Sequence, residues 1–133
     1  MLFTVSLFLP SFYIESSDNV NPWSPSFIVL ILGWFSAIGG YAGTAWYANL
    51  LIVPSWLFIT KKSVLSLVFS ITGFCLSLTF VFYDKLITNE AGTYSIIAER
   101  KLGYYLWVSS FVVVIITNLV ELKKKKNVAQ HRV

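Results

Sequence analysis

The chain has 133 residues, of which 56% are hydrophobic and only 12% charged, with a formal net charge of +4. A charged share about half that of a water-soluble domain excludes a disordered chain and argues against a soluble core. Half of the basic residues, Lys123, Lys124, Lys125, Lys126 and Arg132, follow a hydrophobic run instead of lying on a polar face, so no nucleic-acid partner is expected.

Three charge-free runs organise the sequence: the 42 residues between Asp18 and Lys61, then Ser63–Tyr83 and Leu102–Val120. A bilayer crossing takes about 20 apolar residues for roughly 30 Å of hydrocarbon. The reading is therefore one integral membrane domain over 1–133, an all-α, polytopic transmembrane helix bundle with three to four spans.

Residues 1–14 are apolar but reach only about 21 Å as a helix, and Pro10 weakens that helix. They read as a short or truncated first span, or as an interfacial segment. A start codon placed too late would give this appearance. No basic n-region or small-x-small cleavage site marks a signal peptide. Residues 15–25 form a polar loop, with Asn21-Pro22 and Ser24-Pro25 as turn signals. Ser26 then serves as N-cap for the second span. The uncharged stretch from Ser26 to Thr60 is about 52 Å as a helix, too long for one crossing and tight for two. Trp23 and Trp46 are about 34 Å apart on a helix, one bilayer thickness, and Trp favours the interfaces. The expected span is 26–48, followed by an interfacial piece at 49–60 with Asn49, Pro54 and Trp56. The alternative is a tight hairpin turning at Gly39-Gly40.

Spans three and four are 63–83 and 102–120. The outer loop 84–101 between them has a turn signal at Asn89-Glu90-Ala91-Gly92. Its flanks, Leu86-Ile87-Thr88 and Thr93-Tyr94-Ser95-Ile96-Ile97, read as a short β-hairpin. Residues 121–133 form a basic tail. If spans three and four are a hairpin, Lys61, Lys62, Lys123, Lys124, Lys125 and Lys126 share one side. The positive-inside rule puts that side, with the C-terminus, in the cytoplasm and loops 15–25 and 84–101 outside. The lysines act as topology determinants or as anionic-lipid contacts.

Small residues recur every fourth position at Ser36, Gly40, Thr44 and Ala48, beside a Gly39/Gly43 pair. Ser66, Ser70, Gly73 and Ser77 make a second small face. In lipid, helices associate where small residues let backbones approach. The two faces are expected to pack against each other within the monomer, with self-association or docking to another membrane protein as the functional reading. Cys75 reads as a small packing residue within a span. Tyr104, Tyr105 and Trp107 fit an outer aromatic belt. Asn49 and Asn118 read as interfacial or inter-helix hydrogen-bonding groups near the cytoplasmic ends of spans.

Catalytic, cofactor-binding and metal residues are all expected to be absent. One Cys and one His make no metal set, and His131 lies in the tail. No ionisable group falls inside a span, which weighs against proton-coupled transport.

Three patches in order, Ser6-Leu7-Phe8-Leu9-Pro10-Ser11-Phe12, Ala45-Trp46-Tyr47-Ala48-Asn49-Leu50 and Gly103-Tyr104-Tyr105-Leu106-Trp107-Val108-Ser109-Ser110, resemble a loose group of small uncharacterised bacterial inner-membrane proteins. In that group the Ala-Asn pair is often followed by proline, where Leu50 stands here. The resemblance implies architecture and inner-membrane localisation, and no activity. The expected function is thus non-enzymatic contact with a partner, as an accessory subunit or an immunity-type protein. The alternative is an oligomeric pore or small-solute transporter.

Overall fold

The structure, a computed structural model, describes residues 1–15, 25–88 and 91–130. In chain order it has α1 (Leu2–Leu7), β1 (Phe12–Ile14), α2 (Ser26–Leu32), α3 (Trp34–Ile38), a 3₁₀ helix (Tyr41–Tyr47), α4 (Ala48–Phe58), α5 (Ser63–Thr79), a 3₁₀ turn (Phe80–Phe82), β2 (Lys85–Ile87), β3 (Tyr94–Arg100) and α6 (Leu102–Gln130).

Among the described residues, two elements are long and apolar enough to cross a bilayer, Ser63–Phe82 and Leu102–Gln130. α5 is a continuous apolar run without Pro, and its serines and threonines do not break it. Ser70, Ser77 and Thr79 donate to the carbonyls of Leu67, Phe74 and Leu76 at 3.0, 2.7 and 2.6 Å. A hydroxyl that folds back on its own helix needs no water. On α6, Ser110 and Thr117 bond Trp107 and Val113 in the same way. α6 continues as helix past the apolar stretch through Lys123–Lys126, so the basic tail is helical to Gln130.

The expected span 26–48 is not one helix. α2 and α3 end at Gly40, whose φ of +80° and ψ of −152° lie in a region only glycine visits freely. Tyr41 follows at φ +53°, and its ring packs edge-on against Tyr94 and Tyr83 at 5.4 and 6.3 Å. The chain reverses there, where the alternative hairpin places its turn. The piece at 49–60 is correspondingly not irregular. The seven-residue 3₁₀ helix runs into the eleven-residue α4, together about 30 Å of helix. Pro54 removes one intrahelical bond from α4 without ending it. Residues 1–14 likewise do not form a span: six residues make α1, which packs against α6, and then the chain becomes a strand.

The hairpin expected in loop 84–101 is present as β2 and β3, paired with Leu86 opposite Ser95. It is part of a larger sheet, so the chain is mostly helical and not all-α. β1 pairs antiparallel with the other edge of β3, Phe12 opposite Arg100, giving the order β1-β3-β2. A bulge between Tyr13 and Ile14 bends the edge strand.

The sheet caps one end of the bundle. Beneath it Phe12, Ala42, Ala45, Phe80, Leu86, Ile97 and Tyr104 form one buried cluster, and Ala48, Ile52 and Phe111 form a second, deeper one. The lysines mark the opposite end: Lys125 Nζ donates to the Thr60 carbonyl and to Ser63 Oγ at 2.6 and 2.8 Å. The helix-turn at Lys61-Lys62 and the basic end of α6 are therefore adjacent.

Candidate functional site: a hydroxyl-lined cavity beneath the sheet

Three chain reversals converge just below the sheet. The turn after α1 lays Leu9 and Pro10 across the first turn of α6, where Gly103 donates to the Pro10 carbonyl at 3.0 Å. A Cβ at Gly103 would sit 2.7 Å from the Leu9 and Pro10 carbonyls, so only glycine allows this crossing. The start of α2 is tied to the same turn. Ser26 N donates to the Leu9 carbonyl at 3.1 Å, and Ser26 Oγ bonds both that carbonyl and Ser11 Oγ. The third reversal, at Gly40, folds α3 back on the 3₁₀ helix.

Between these elements lies a half-open pocket of about 70 Å³, lined by Ser6 and Ser11 from the N-terminal segment, Ser26, Leu30, Gly33 and Ser36 from α2–α3, Trp46 from the 3₁₀ helix, Asn49 from α4, and Tyr104 and Trp107 from α6. None of the lining residues is charged. Most of the polar groups are paired. Ser6 Oγ donates to the Phe3 carbonyl at 2.6 Å, Trp46 Nε1 to the Leu30 carbonyl at 3.0 Å and Tyr104 OH to the Ser77 carbonyl at 3.0 Å. Trp107 Nε1 donates to Asn49 Oδ1 at 2.9 Å. Two donors are left. Ser36 Oγ is buried and has no partner, and Asn49 Nδ2 donates to no described residue.

The small residues expected to form one stripe are divided by the turn. Ser36 and Gly43 face each other across it, and a Cβ on Gly43 would collide with the Ser36 backbone. Ala48 is buried in the deeper cluster. Thr44 is half-buried and bonds the Tyr41 carbonyl, Gly39 lies at the surface near Ile87, and Gly40 makes the turn. A continuous groove through Ser36, Gly40, Thr44 and Ala48 therefore does not exist, because four-residue spacing marks one face only while the helix continues. On α5, Ser66, Ser70, Gly73 and Ser77 are all buried. Ser66 Oγ bonds the Ser55 carbonyl of α4, and a Cβ on Gly73 would run into the Phe111 ring of α6. This face packs between α4 and α6, and α5 also meets the 3₁₀ helix that carries Gly43 and Thr44, so the two sets of small residues lie on packed elements although Ser36 itself sits beyond the turn.

Other expectations shift with the turn. Trp46 lines the cavity and does not mark the far interface; Trp23 lies outside the described residues. Asn49 does make an inter-helix bond, but to Trp107, on the sheet side of the bundle. Asn118 is 0% exposed with neither side-chain atom partnered. Of the aromatic belt only Tyr105 is exposed; Tyr104 is buried and Trp107 half-buried. Cys75 is exposed on α5 and is not a packing residue. Lys61, Lys62 and Lys123–Lys126 are exposed at the end opposite the sheet. His131, Arg132 and most of loop 15–25 lie outside the described residues, as do Asn89 and Glu90 of the hairpin turn.

Sequence reasoning missed the cavity serines Ser6, Ser11 and Ser26, and it missed Arg100. The Arg100 guanidinium donates to the carbonyls of Phe80, Val81 and Tyr83 at 3.1, 2.9 and 3.0 Å, and lies 3.6 Å from Asp84. It satisfies the orphan carbonyls at the end of the α5 helix. A lone arginine closing an apolar run's outer loop was the available signal.

No protein-family model, curated protein or solved structure matches the chain. Its class is therefore set by the fold: a mostly helical chain with a small sheet and, among the described residues, two helices long and apolar enough to cross a membrane.

Proposed function

We propose that this is an inner-membrane protein of bacterial type that acts by contact with another membrane protein, as an accessory subunit or an immunity-type protein. Three crossings fit the geometry: Tyr41–Phe58 inward, α5 outward and the apolar part of α6 inward. On this reading the positive-inside rule assigns the lysine-rich end and the C-terminus to the cytoplasm, and the sheet to the outside. α1 and α2–α3 then enter the bilayer from the outer side without crossing.

The observation that carries the reading is the sheet-capped end. Its strands are held by Arg100, by the β1–β3 pairing and by the aromatic cluster under them. They present Tyr13, Tyr94 and Ile96 outward, beside the Lys101–Glu99 ion pair. Ordered aromatic groups set among charges are the composition of recognition surfaces. The small-residue face of α5, by contrast, is buried inside the monomer.

A photo-crosslinking residue at Tyr94 tests this in intact cells. One discrete protein adduct, absent when the label is moved to lipid-facing Val113, is the expected result. Adducts with lipid alone, together with a monomer in mild detergent, would overturn it.

A further inference from the structure

We propose that the lysine-rich end of the bundle is a composite binding site for the phosphate of an anionic phospholipid, built jointly from the α4–α5 turn and the end of α6. Lys125 joins the two parts. Its Nζ donates to the Thr60 carbonyl and to Ser63 Oγ at 2.6 and 2.8 Å, which holds the turn carrying Lys61 and Lys62 against the helix carrying Lys123–Lys126. An ammonium has three donors, and among the described residues Lys125 uses two of them. Glu121 is the single acid of this end among the described residues, and it pairs with Lys124 at 2.9 Å. Lys62 lies over the Phe58 ring, 6.0 Å from its centroid, which leaves its charge without a counter-charge. Lys61, Lys62, Lys123, Lys125 and Lys126 are all exposed, and no described carboxylate pairs with them.

Depth and direction favour a lipid over a protein. The charge-free run of α6 ends at Val120, so Lys123 and Lys126 stand about 4.5 and 9 Å beyond it along the helix. Lys61 and Lys62 directly precede the apolar α5. The headgroup layer of one leaflet is roughly 5–8 Å deep, and a lysine side chain bends back toward it. Both sets therefore reach the phosphates. Successive helical residues turn by about 100°, so Lys123–Lys126 ring α6 and do not form one stripe. An acidic protein segment would be met by a single face. A ring at headgroup depth fits the lipids that surround a helix. The site rests on the proposed crossings and not on a protein contact at the sheet.

The test is native mass spectrometry of the purified chain in uncharged detergent. The probes are phosphatidylglycerol, phosphatidylethanolamine with the same acyl chains, and inorganic phosphate. Phosphatidylglycerol is expected to bind about fivefold or more tightly than phosphatidylethanolamine. The pair Lys61→Gln and Lys62→Gln, and separately the pair Lys123→Gln and Lys126→Gln, should each weaken it by about fivefold or more. Arginine at the same pairs should retain binding, and a thermal melt of each variant without lipid identifies misfolding. Equal binding of the two lipids, or phosphatidylglycerol binding unaffected by both glutamine pairs, would overturn the site. Loss with only one of the pairs would overturn its composite construction. Inorganic phosphate that displaces phosphatidylglycerol would assign the lysines to a soluble anion and overturn the lipid source. A photo-crosslinking residue at Lys126 in intact cells should give lipid adducts; a discrete protein adduct there would overturn the proposal in favour of an acidic partner. Loss of the Tyr94 adduct with the lipid preference retained would remove the contact reading alone.

Discussion

Among the described residues, Asn118 is the side chain with two buried polar atoms and no partner for either. Its amide is wholly enclosed on α6 with no hydrogen bond, whereas Ser66, Ser70 and Ser77 of α5 bond carbonyls of their own or a neighbouring helix. An unpaired buried polar group costs about 1–3 kcal/mol. Asn118→Leu, similar in volume and without polar atoms, is therefore expected to stabilise the protein by about that amount. Denaturation in mixed micelles would show it, and an unfolding midpoint that falls would mean that the amide has a partner. Gly73 gives the opposite case. Its missing side chain is filled by Phe111, so Gly73→Ala should destabilise by about 1–3 kcal/mol through overpacking. The α5 face was legible from sequence because α5 is an unbroken helix, so small residues at helical spacing do share a face. The same logic failed for Ser36, Gly40, Thr44 and Ala48, since Gly40 is the turn itself. Spacing carries no information about where a glycine will be used as a helix member and where as a break.

Among the elements, the β2–β3 hairpin could be read because its turn residues and alternating flanks are local. β1 could not. Three residues inside an apolar run look like helix, and their partner strand lies far along the chain. Arg100 was invisible for the same reason: the carbonyls it serves belong to a different element. Hydrogen bonds to a charged donor contribute about 1.5–3 kcal/mol each, and the carbonyls here are partly exposed. Arg100→Ala should lower stability by about 2–3 kcal/mol. Arg100→Lys should recover less than half, because one ammonium cannot reach three carbonyls in fork geometry. Hydrogen exchange should locate the loss at Phe80–Asp84; protection unchanged there would refute the capping role. At the reversal, Gly40→Ala should cost about 1–3 kcal/mol, since alanine strains in the φ/ψ region Gly40 occupies.

At the scale of the whole molecule, charge distribution was the most dependable signal. The two lysine clusters meet at one end because α5 and α6 pack as a hairpin. What charge could not give was the path of the long uncharged run, which contains no mark to separate a crossing from a return. Thiol labelling decides it. In a Cys75→Ser background, cysteines at Tyr41 and Gly92 should react with a membrane-impermeant maleimide added outside. A cysteine at Lys62 should react only after permeabilisation. Tyr41 and Lys62 labelling from the same side would refute a crossing at 41–58.

The pairing of β1 with β3 also sets an order of assembly. Phe12 leaves the ribosome roughly 90 residues before its partner Arg100, and contacts so distant in sequence form late. Until then the N-terminal segment has no strand to join, Gly103 has not arrived beneath Pro10, and the walls of the cavity have not met. A nascent chain arrested before residue 94 should hold α4 and α5 together yet leave its amino-terminal stretch open to added protease. Closure of the site is thus a late event in making this protein, one that waits for residues far along the chain to arrive.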